Sequence, residues 1–347
     1  MIHPPPWPRL LDRLLQGHDL EPEQASALMG GWLAGEIEPV LTGALVAALR
    51  AKGVSGRELA ALAEVLRQAS PQPPGRPATP LVDTCGTGGS GLDSFNISTA
   101  VAFTAAACGA SVAKHGSRSA SGRVGSADVL EALGLDLAAP AEQVLAALPL
   151  AGVTFLFAPG WHPALAGLAP LRRSLGVRTV FNQLGPLVNP LRPEAQVLGV
   201  ARPDQLQPMA EALRLLGQER AVVVHGHGGL DEASLCGPNA LLLLEKGALR
   251  AESLEATALG LEAAPLEALL GGDLATNRAI LEAVLQGGGS RAQREVVALN
   301  TALVLWAAGL APTVAAAVAP ALAALASGAP WRRLQRLRQA LQAPAGR

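Results

Sequence analysis

The first seventy residues carry apolar side chains at helical spacing, and none of their stretches alternates as a strand would. We predict helices at 8–15, 23–34 and 38–51, and a fourth helix that opens at the capping box Ser55-Gly-Arg-Glu58. A proline-rich connector follows over residues 70–80 and marks a domain boundary. The pattern therefore predicts an all-helical N-terminal domain over residues 1–72.

Beyond residue 80, short apolar runs alternate with helical stretches. We predict strands at 81–84, 110–113, 152–157, 195–200, 221–224 and 240–244. Helices are predicted at 98–108, 126–133, 162–175 and 205–216, and throughout the remainder of the chain. Such alternation is typical of an α/β fold with a mostly parallel sheet flanked by helices.

Composition narrows the functional class. The net charge is −1, aromatic residues make up 3% of the chain and tyrosine is absent, which argues against nucleic-acid binding. Three cysteines without metal-type spacing indicate reduced thiols and a cytoplasmic location.

Neither end of the chain indicates a membrane protein. The N-terminus lacks the basic and apolar regions of a signal peptide. The alanine-rich stretches 296–311 and 311–326 are interrupted by glycine and proline and fall short of the ~20 residues of a membrane span. We expect buried helices there and no membrane partner.

A glycine-rich loop follows the first predicted strand. Residues 85–99 read Cys-Gly-Thr-Gly-Gly-Ser-Gly-Leu-Asp-Ser-Phe-Asn-Ile-Ser-Thr and lead into a helix of small residues. Glycines let backbone N–H groups approach a ligand, and a helix start adds free N–H groups and a positive dipole end. The segment is therefore predicted to bind phosphate.

Two familiar phosphate motifs do not fit this loop. The pattern Gly86-x-Gly88-x-x-Gly91 matches the dinucleotide fingerprint, but the next strand ends in Lys114-His115 instead of the acidic residue that holds a ribose. No Gly-Lys-Ser/Thr follows, so the Walker pattern is absent as well. A cation at this place favours a further phosphate group.

Two more polar segments follow predicted strands. A Ser/Gly-rich loop runs from Lys114 to Ser126, and Asp231-Glu232 lie after three glycines beyond the strand at 221–224. Because the carboxyl ends of parallel strands share one edge of the sheet, we expect all three segments to meet. Adjacent carboxylates beside phosphates are typical of Mg²⁺ sites. Arg172 is a candidate for a carboxylate ligand or an ordinary surface arginine.

Taken together, these stretches resemble the anthranilate phosphoribosyltransferase family. The resemblance rests on Asp83-Thr-Cys-Gly-Thr-Gly-Gly, Phe95-Asn-Ile-Ser-Thr99, Lys114-His-Gly-x-Arg118, Gly125-Ser-Ala-Asp-Val-Leu-Glu-Ala-Leu-Gly134, Arg178-Thr-x-Phe-Asn-x-Leu-Gly-Pro-Leu-x-Asn-Pro190 and Gly229-Leu-Asp-Glu232. It implies the architecture of nucleoside phosphorylases and class II phosphoribosyltransferases, with residues 163–190 joining the helical domain and residues 80–162 and 191–347 forming the α/β catalytic domain. It further implies a homodimer through the helical domains.

The reaction implied by the resemblance transfers the phosphoribosyl group of PRPP to the amine of anthranilate and releases pyrophosphate, in tryptophan biosynthesis. The implied PRPP-binding residues are Gly86, Gly89, Ser90, Ser94, Asn96, Ile97, Ser98, Thr99, Lys114 and Ser126. Ser98, Asp231 and Glu232 would hold Mg²⁺. The implied anthranilate-binding residues are Gly86, Ser117, Arg172, His115 and His162, and the implied catalytic residues are Lys114, Arg172 and His115.

Three positions depart from the usual pattern of that family. Ser90 and Gly228 each replace an aspartate, and Ser117 replaces the asparagine that contacts anthranilate. Two alternatives follow from the same architecture: a pyrimidine nucleoside phosphorylase-like enzyme, and a non-catalytic relative that binds nucleic acid. The segment 178–190 and the Asp231-Glu232 pair argue against the first, and the net charge of −1 argues against the second.

Overall fold

Residues 7–119 and 124–342 are described by a computed structural model of the chain. Residues 120–123, within the Ser/Gly-rich loop that runs from Lys114 to Ser126, therefore lie outside the described residues, as do residues 1–6 and 343–347.

Four helices form the N-terminal part, as predicted: α1 Trp7–Leu15, α2 Pro22–Ala34, α3 Pro39–Lys52 and α4 Gly56–Ala69. The capping box is confirmed, because the Ser55 hydroxyl accepts the Glu58 N–H and the Glu58 carboxylate accepts the Ser55 N–H in return. This exchange satisfies two donors that a helix start would otherwise leave open.

In the part of the chain that the structure describes, seven strands form one sheet: β1 Val82–Gly86, β2 Val112–Gly116, β3 Val153–Phe157, β4 Ala195–Gly199, β5 Arg220–His225, β6 Asn239–Glu245 and β7 Ala248–Leu254. Their order is β3-β2-β1-β4-β5-β6-β7, and the first five are parallel. The mostly parallel sheet is therefore confirmed.

The prediction of helices throughout the region after residue 244 was wrong. β6 and β7 form an antiparallel hairpin, and Lys246 and Gly247 both have positive φ at its turn. A two-residue turn of this kind matches the twist of paired strands. β7 is mostly exposed and lacks an apolar face, so its sequence carries no strand signal.

The described helices that accompany the sheet are α5 Ile97–Ala107, α6 Ser126–Ala132, α7 Ala141–Ala151, α8 Ala158–Trp161, α9 Ala169–Leu175, α10 Val180–Leu184, α11 Leu206–Leu215, α12 Leu274–Leu285, α13 Arg291–Ala307, α14 Val314–Ala326 and α15 Ala329–Gln342. The helix predicted at 162–175 is divided, since a 3₁₀ segment, Pro163–Leu168, precedes α9. Prolines at its start and at the start of α9 interrupt the helical hydrogen bonds.

The described residues form two hydrophobic cores. One joins the sheet to α5 and α13, and α13 is buried from Val296 to Ala307. The other joins α1–α4 to Phe181 and Leu184 of α10, and continues to Leu198 of β4 and Leu213 of α11. The four-helix part thus packs against one face of the sheet.

No single helix in the described ranges has the length and apolar character needed to cross a membrane. The pair α14 and α15, bent by 68°, passes that test together, on length and composition only.

Candidate active site

A cavity of about 560 Å³ opens at the carboxyl ends of the parallel strands. β1 lies between β2 and β4, so the connections on its two sides leave in opposite directions. Ligands of open α/β sheets bind at such a switch point. The cavity wall combines the glycine-rich loop, the start of α5, the end of β2 and parts of the segment 158–188.

Fifteen of the sixteen predicted site residues line this cavity. They are Gly86, Gly89, Ser90, Ser94, Asn96, Ser98, Thr99, Lys114, His115, Ser117, Ser126, His162, Arg172, Asp231 and Glu232. The fold therefore brings together predicted site residues from six segments of the chain.

Ile97 is the exception. Its side chain is fully buried in the α/β core, and its N–H donates to the carbonyl of Phe95 at 2.6 Å. The first turn of α5 points this apolar position toward the core, so the expectation that Ile97 binds PRPP is not supported by its side chain.

The glycine-rich loop is held against Asp231. Gly88 has φ 67 and Gly89 has φ 82, a backbone region that favours glycine. The N–H of Gly88 donates to Asp231 Oδ2 at 2.7 Å. A Cβ on Gly86 would overlap the same carboxylate oxygen, so glycine is required where the loop meets Asp231.

Lys114 lies in β2 and reaches both β1 and the first turn of α5. Its Nζ donates to the carbonyl of Thr84 at 2.7 Å and to the hydroxyl of Ser98 at 3.2 Å. Burial lowers the pKa of Lys114, whereas the carboxylates of Asp83 and Glu232 raise it. An anionic ligand in the cavity would favour the charged ammonium further.

The acidic pair has the chemistry of a hard-cation site. Burial raises the pKa of Asp231, and burial together with the Asp231 charge raises that of Glu232 well above its usual value. Within the described residues, buried Glu232 Oε2 has no hydrogen-bond partner. A divalent cation would relieve the repulsion and satisfy this oxygen, so the residues present fit Mg²⁺.

Among the described residues, no group of three or more His, Cys, Asp or Glu side chains is placed to hold a metal ion. A cation here would therefore take further ligands from hydroxyls, water or substrate phosphates, which is common for Mg²⁺. Ser98, beside Lys114 Nζ, provides a hydroxyl in the same wall.

His115 and His162 form a contact across the cavity wall. Their Nε2 atoms are 3.2 Å apart, and their rings meet edge to face with centroids 5.0 Å apart. Burial lowers the pKa of His115 to about 3, with a contribution from His162, and lowers the pKa of His162 to about 4. Both rings are thus neutral at pH 7.

Arg172 contributes a half-buried cation to the cavity wall. It is in α9, and its guanidinium lies over the ring of Phe181, 5.5 Å from the centroid. Burial lowers the pKa of Arg172, although arginine stays charged at pH 7. This stacked arrangement leaves a planar donor group in reach of a carboxylate.

Three of the other predicted residues have local side-chain hydrogen bonds, whereas the buried Thr99 hydroxyl has no partner within the described residues. Ser90 Oγ accepts the N–H of Leu92 at 3.2 Å, and Asn96 Nδ2 donates to Val124 at 3.2 Å. Ser126 Oγ donates to the carbonyl of Ser117 at 3.4 Å. Ser117 is exposed at the cavity rim.

Three residues that orient parts of the site were not among the site residues predicted from the sequence. Buried Asp83 accepts hydrogen bonds from Asn189 Nδ2 at 2.8 Å and from the His115 N–H at 3.2 Å, which fixes the end of β2. Arg178 donates to the carbonyl of Thr87 in the glycine-rich loop. Asp83, Asn189 and Arg178 all belong to the motifs quoted above, but spacing alone gives no sign of these long-range contacts.

Comparisons with known proteins agree with this geometry. The model of the glycosyl transferase family a/b domain matches residues 78–330, and the model of the glycosyl transferase family helical bundle domain matches residues 8–70. The anthranilate phosphoribosyltransferase of Prochlorococcus marinus (strain MIT 9313) is 67% identical over 96% of this chain and 95% of its own length. The chain belongs to the anthranilate phosphoribosyltransferase family.

Further anthranilate phosphoribosyltransferases support this assignment. The one from Synechococcus sp. (strain WH7803) is 66% identical over 97% of both chains. The crystal structure of the anthranilate phosphoribosyltransferase from Thermus thermophilus covers 96% of this chain and 99% of its own, with 45% identity and a TM-score of 0.90. The predicted family and fold class are confirmed, and the two alternative families are not favoured.

The Saccharomyces cerevisiae anthranilate phosphoribosyltransferase has the same fold at lower identity. Its complex with 4-fluoroanthranilate is 25% identical, with a TM-score of 0.85 over 96% of this chain and 97% of its own. Its complex with PRPP and Mg has a TM-score of 0.85 at 24% identity over the same shares of the two chains, and supports the fold alone.

Proposed function

We propose that the chain transfers the phosphoribosyl group of PRPP to the amine of anthranilate, giving N-(5-phosphoribosyl)anthranilate and pyrophosphate in tryptophan biosynthesis. One observation carries this proposal: a single cavity combines the glycine-rich loop, Lys114 and the Asp231-Glu232 pair with the half-buried guanidinium of Arg172. The first three suit a magnesium-bound pyrophosphate group, and Arg172 suits a carboxylate. The Saccharomyces cerevisiae complex with 4-fluoroanthranilate supports an anthranilate-type acceptor.

In this proposal, PRPP lies along the glycine-rich loop and the start of α5. The N–H groups of the loop and of the first turn of α5 donate to phosphate oxygens. Lys114, fixed by Thr84 and Ser98, places its ammonium beside them and stabilises negative charge as pyrophosphate leaves. Ser90, Ser94, Asn96, Thr99 and Ser126 complete the polar wall.

We propose Ser98, Asp231 and Glu232 as the residues that hold Mg²⁺. When bound, Mg²⁺ supplies positive charge that offsets the phosphates and weakens the bond to the leaving group. Asp231 also fixes the glycine-rich loop through Gly88, so the same carboxylate would position both the cation and the loop.

Arg172 holds the carboxylate of anthranilate in this proposal, and Ser117, His115 and His162 line its binding region. The amine can then approach the ribose carbon from the side opposite to pyrophosphate. Orientation of the two reactants and electrostatic stabilisation account for most of the catalysis.

Three further properties belong to the same proposal. The domains comprise residues 1–72 with 163–190, and residues 80–162 with 191–347. A homodimer forms through the helical domains, which is supported by the exposed apolar side chains of Leu15, Val40 and Val177. Three free cysteines are consistent with a cytoplasmic location.

The test is a fluorescence assay of anthranilate consumption by the purified chain with PRPP and Mg²⁺. We expect consumption that requires both PRPP and Mg²⁺. A lack of consumption would refute the proposal, and phosphorolysis of thymidine or uridine in the same preparation would instead support the phosphorylase alternative.

A further inference from the structure

A second cavity, of about 350 Å³, lies where the helical part meets the α/β part of the chain. Its wall includes Arg50 and Lys52 of α3, the segment 178–183, and the region 201–208 between β4 and α11. Cavities of roughly 300–1,000 Å³ at the junction of two domains are common sites for small molecules. The second cavity therefore has the size and the location of a ligand site.

The second cavity adjoins the active-site cavity. Gly88 and Gly89 of the glycine-rich loop and the side chain of Arg178 line both. The Arg178 guanidinium lies against the loop, because it donates to the carbonyl of Thr87 and would overlap a Cβ on Gly89. Lys114 and the acidic pair line the active-site cavity only. A ligand in the second cavity would thus contact the loop apart from the groups proposed for the transfer reaction.

Both carboxylates among the described residues of this wall already have basic partners. Asp19 forms an ion pair with Lys52, which also contacts Glu58 at 2.8 Å. Asp204 accepts two hydrogen bonds from Arg202, at 3.0 and 2.6 Å. The negative charge of the wall is therefore engaged with these two cations.

Arg50 and Arg178 are the other basic side chains of the wall. Arg50 is exposed and forms no hydrogen bond or ion pair within the described residues. Burial lowers the pKa of half-buried Arg178, the Asp231 carboxylate raises it, and the charge of Arg50 lowers it again. The two guanidinium groups therefore repel each other, and both stay charged at pH 7. An anion held by both would offset this repulsion.

The placement of the two arginines favours a phosphate over a carboxylate. Arg50 comes from α3 and Arg178 from the segment before α10, so the two groups belong to different elements. A phosphate carries oxygens on all sides and can accept hydrogen bonds from two arginines at once. A carboxylate has two oxygens in one plane and a single charge, which suits one guanidinium. The wall therefore matches a phosphate dianion.

We propose that the second cavity binds a phosphate-type anion through Arg50 and Arg178, at a site separate from that of the transfer reaction. Inorganic phosphate and the pyrophosphate released by the proposed reaction present the same oxygens to the two arginines. Arg50 lines only this cavity, so its loss should leave phosphoribosyl transfer intact. Binding here does not require the proposed transfer to take place.

Equilibrium dialysis of the full chain with radiolabelled inorganic phosphate, without Mg²⁺, counts the sites. We expect one site in each cavity. Arg50→Gln should weaken one of them at least tenfold, because a charge-assisted hydrogen bond is lost, and Lys114→Ala should weaken only the other. Arg57→Gln is the matched control, since Arg57 is an exposed arginine of α4 that lines neither cavity. This variant should bind phosphate as the wild type does.

Unlabelled competitors identify the anion. Stronger displacement by pyrophosphate than by phosphate at the Arg50-dependent site would support the released product as ligand, and the reverse order would support free phosphate. Benzoate, a carboxylate with one charge, should displace neither. Displacement by benzoate as effective as that by phosphate would overturn the proposal. Phosphate binding that is the same in Arg50→Gln and the wild type would overturn it as well.

Turnover and unfolding are measured on the same variants. Arg50→Gln should consume anthranilate at the wild-type rate, and its thermal midpoint should equal that of Arg57→Gln, which excludes misfolding as the cause of lost binding. Turnover by the wild type without an Arg50-dependent phosphate site would overturn the second site alone. An Arg50-dependent site in a wild type that consumes no anthranilate would overturn the proposed function and support the second site.

Discussion

Asp231 Oδ2 accepts the backbone N–H of Gly88 at 2.7 Å, a contact between residues 143 positions apart in the chain. It ties the acidic pair to the glycine-rich loop. Binding of a cation and folding of the phosphate loop should therefore depend on each other, because one carboxylate serves both.

Asp231→Asn should show this dependence. The amide keeps an oxygen for Gly88 but loses the negative charge, so we expect at least a tenfold higher Mg²⁺ concentration for half-maximal activity. Titration of the rate with Mg²⁺ at fixed PRPP measures the change. Asp136→Asn, at an exposed position, is the control. An equal Mg²⁺ requirement in both variants would contradict the assignment of Asp231 as a Mg²⁺ ligand.

Gly86→Ala tests the close approach of the loop. The added Cβ would overlap the Asp231 carboxylate, which must move and withdraw from its position beside the cavity. We expect PRPP binding, followed by calorimetry, to weaken by tenfold or more. Gly75→Ala, where a Cβ meets no atom within 4 Å, should bind as the wild type does, and equal binding by both variants would refute the expectation.

Lys114→Ala should lose most of the activity, because it removes the ammonium next to the leaving pyrophosphate. Loss of one such electrostatic group costs roughly 100- to 1,000-fold in kcat. Steady-state kinetics with PRPP and anthranilate measure it. Lys246→Asn, in the exposed β6–β7 turn, is the control, and wild-type kcat in Lys114→Ala would disprove the role of this lysine.

The two buried histidines should make the fold sensitive to acid. Burial lowers the pKa of His162 to about 4 and that of His115 to about 3, whereas an unfolded histidine titrates near ~6.5. Below that pH the unfolded chain binds more protons, so the free energy of unfolding falls as the pH falls, by up to ~1.4 kcal/mol per unit for each ring.

His162→Gln should reduce that dependence between pH 6.5 and 4. Denaturant unfolding at several pH values gives the slope, with His18→Gln at an exposed position as the control. An acid dependence as steep in His162→Gln as in the control would show that His162 charges freely in the folded protein.

Ser117→Asn introduces the asparagine that the family resemblance leads us to expect at this position. Ser117 lies exposed at the cavity rim, and the longer amide would add a donor for anthranilate. We expect the KM for anthranilate to fall severalfold while the KM for PRPP stays unchanged. Equal changes in both constants would mean that the position acts through the loop and not through the acceptor.

The local part of the site could be predicted from the sequence. Gly86 ends β1, Lys114 lies within β2 and Asp231 follows β5, and parallel strands bring their carboxyl ends to one edge. Burial of Ile97 and the short hairpin at Lys246 were missed, because one depends on the rotation of α5 and the other on an edge strand without an apolar face.

The long-range hydrogen bonds could not be predicted from the sequence either. Asn189 reaches Asp83 across 106 positions, and Ser70 reaches His162 across 92. Polar residues of this kind look like ordinary linker or turn residues until the fold brings their partners to them. The chemistry of individual motifs was therefore predictable, whereas the residues that orient them were not.

The core that α1–α4 share with the sheet has a consequence for how the protein folds. Leu28 and Leu62 of the helical part belong to the same apolar cluster as Leu198 and Leu213 of the α/β part. Separating the two parts would expose that cluster to water, at a cost of about 25 cal/mol for each Å² of apolar surface. The helical bundle and the sheet should therefore melt in one cooperative transition, and neither is expected to remain folded when expressed alone.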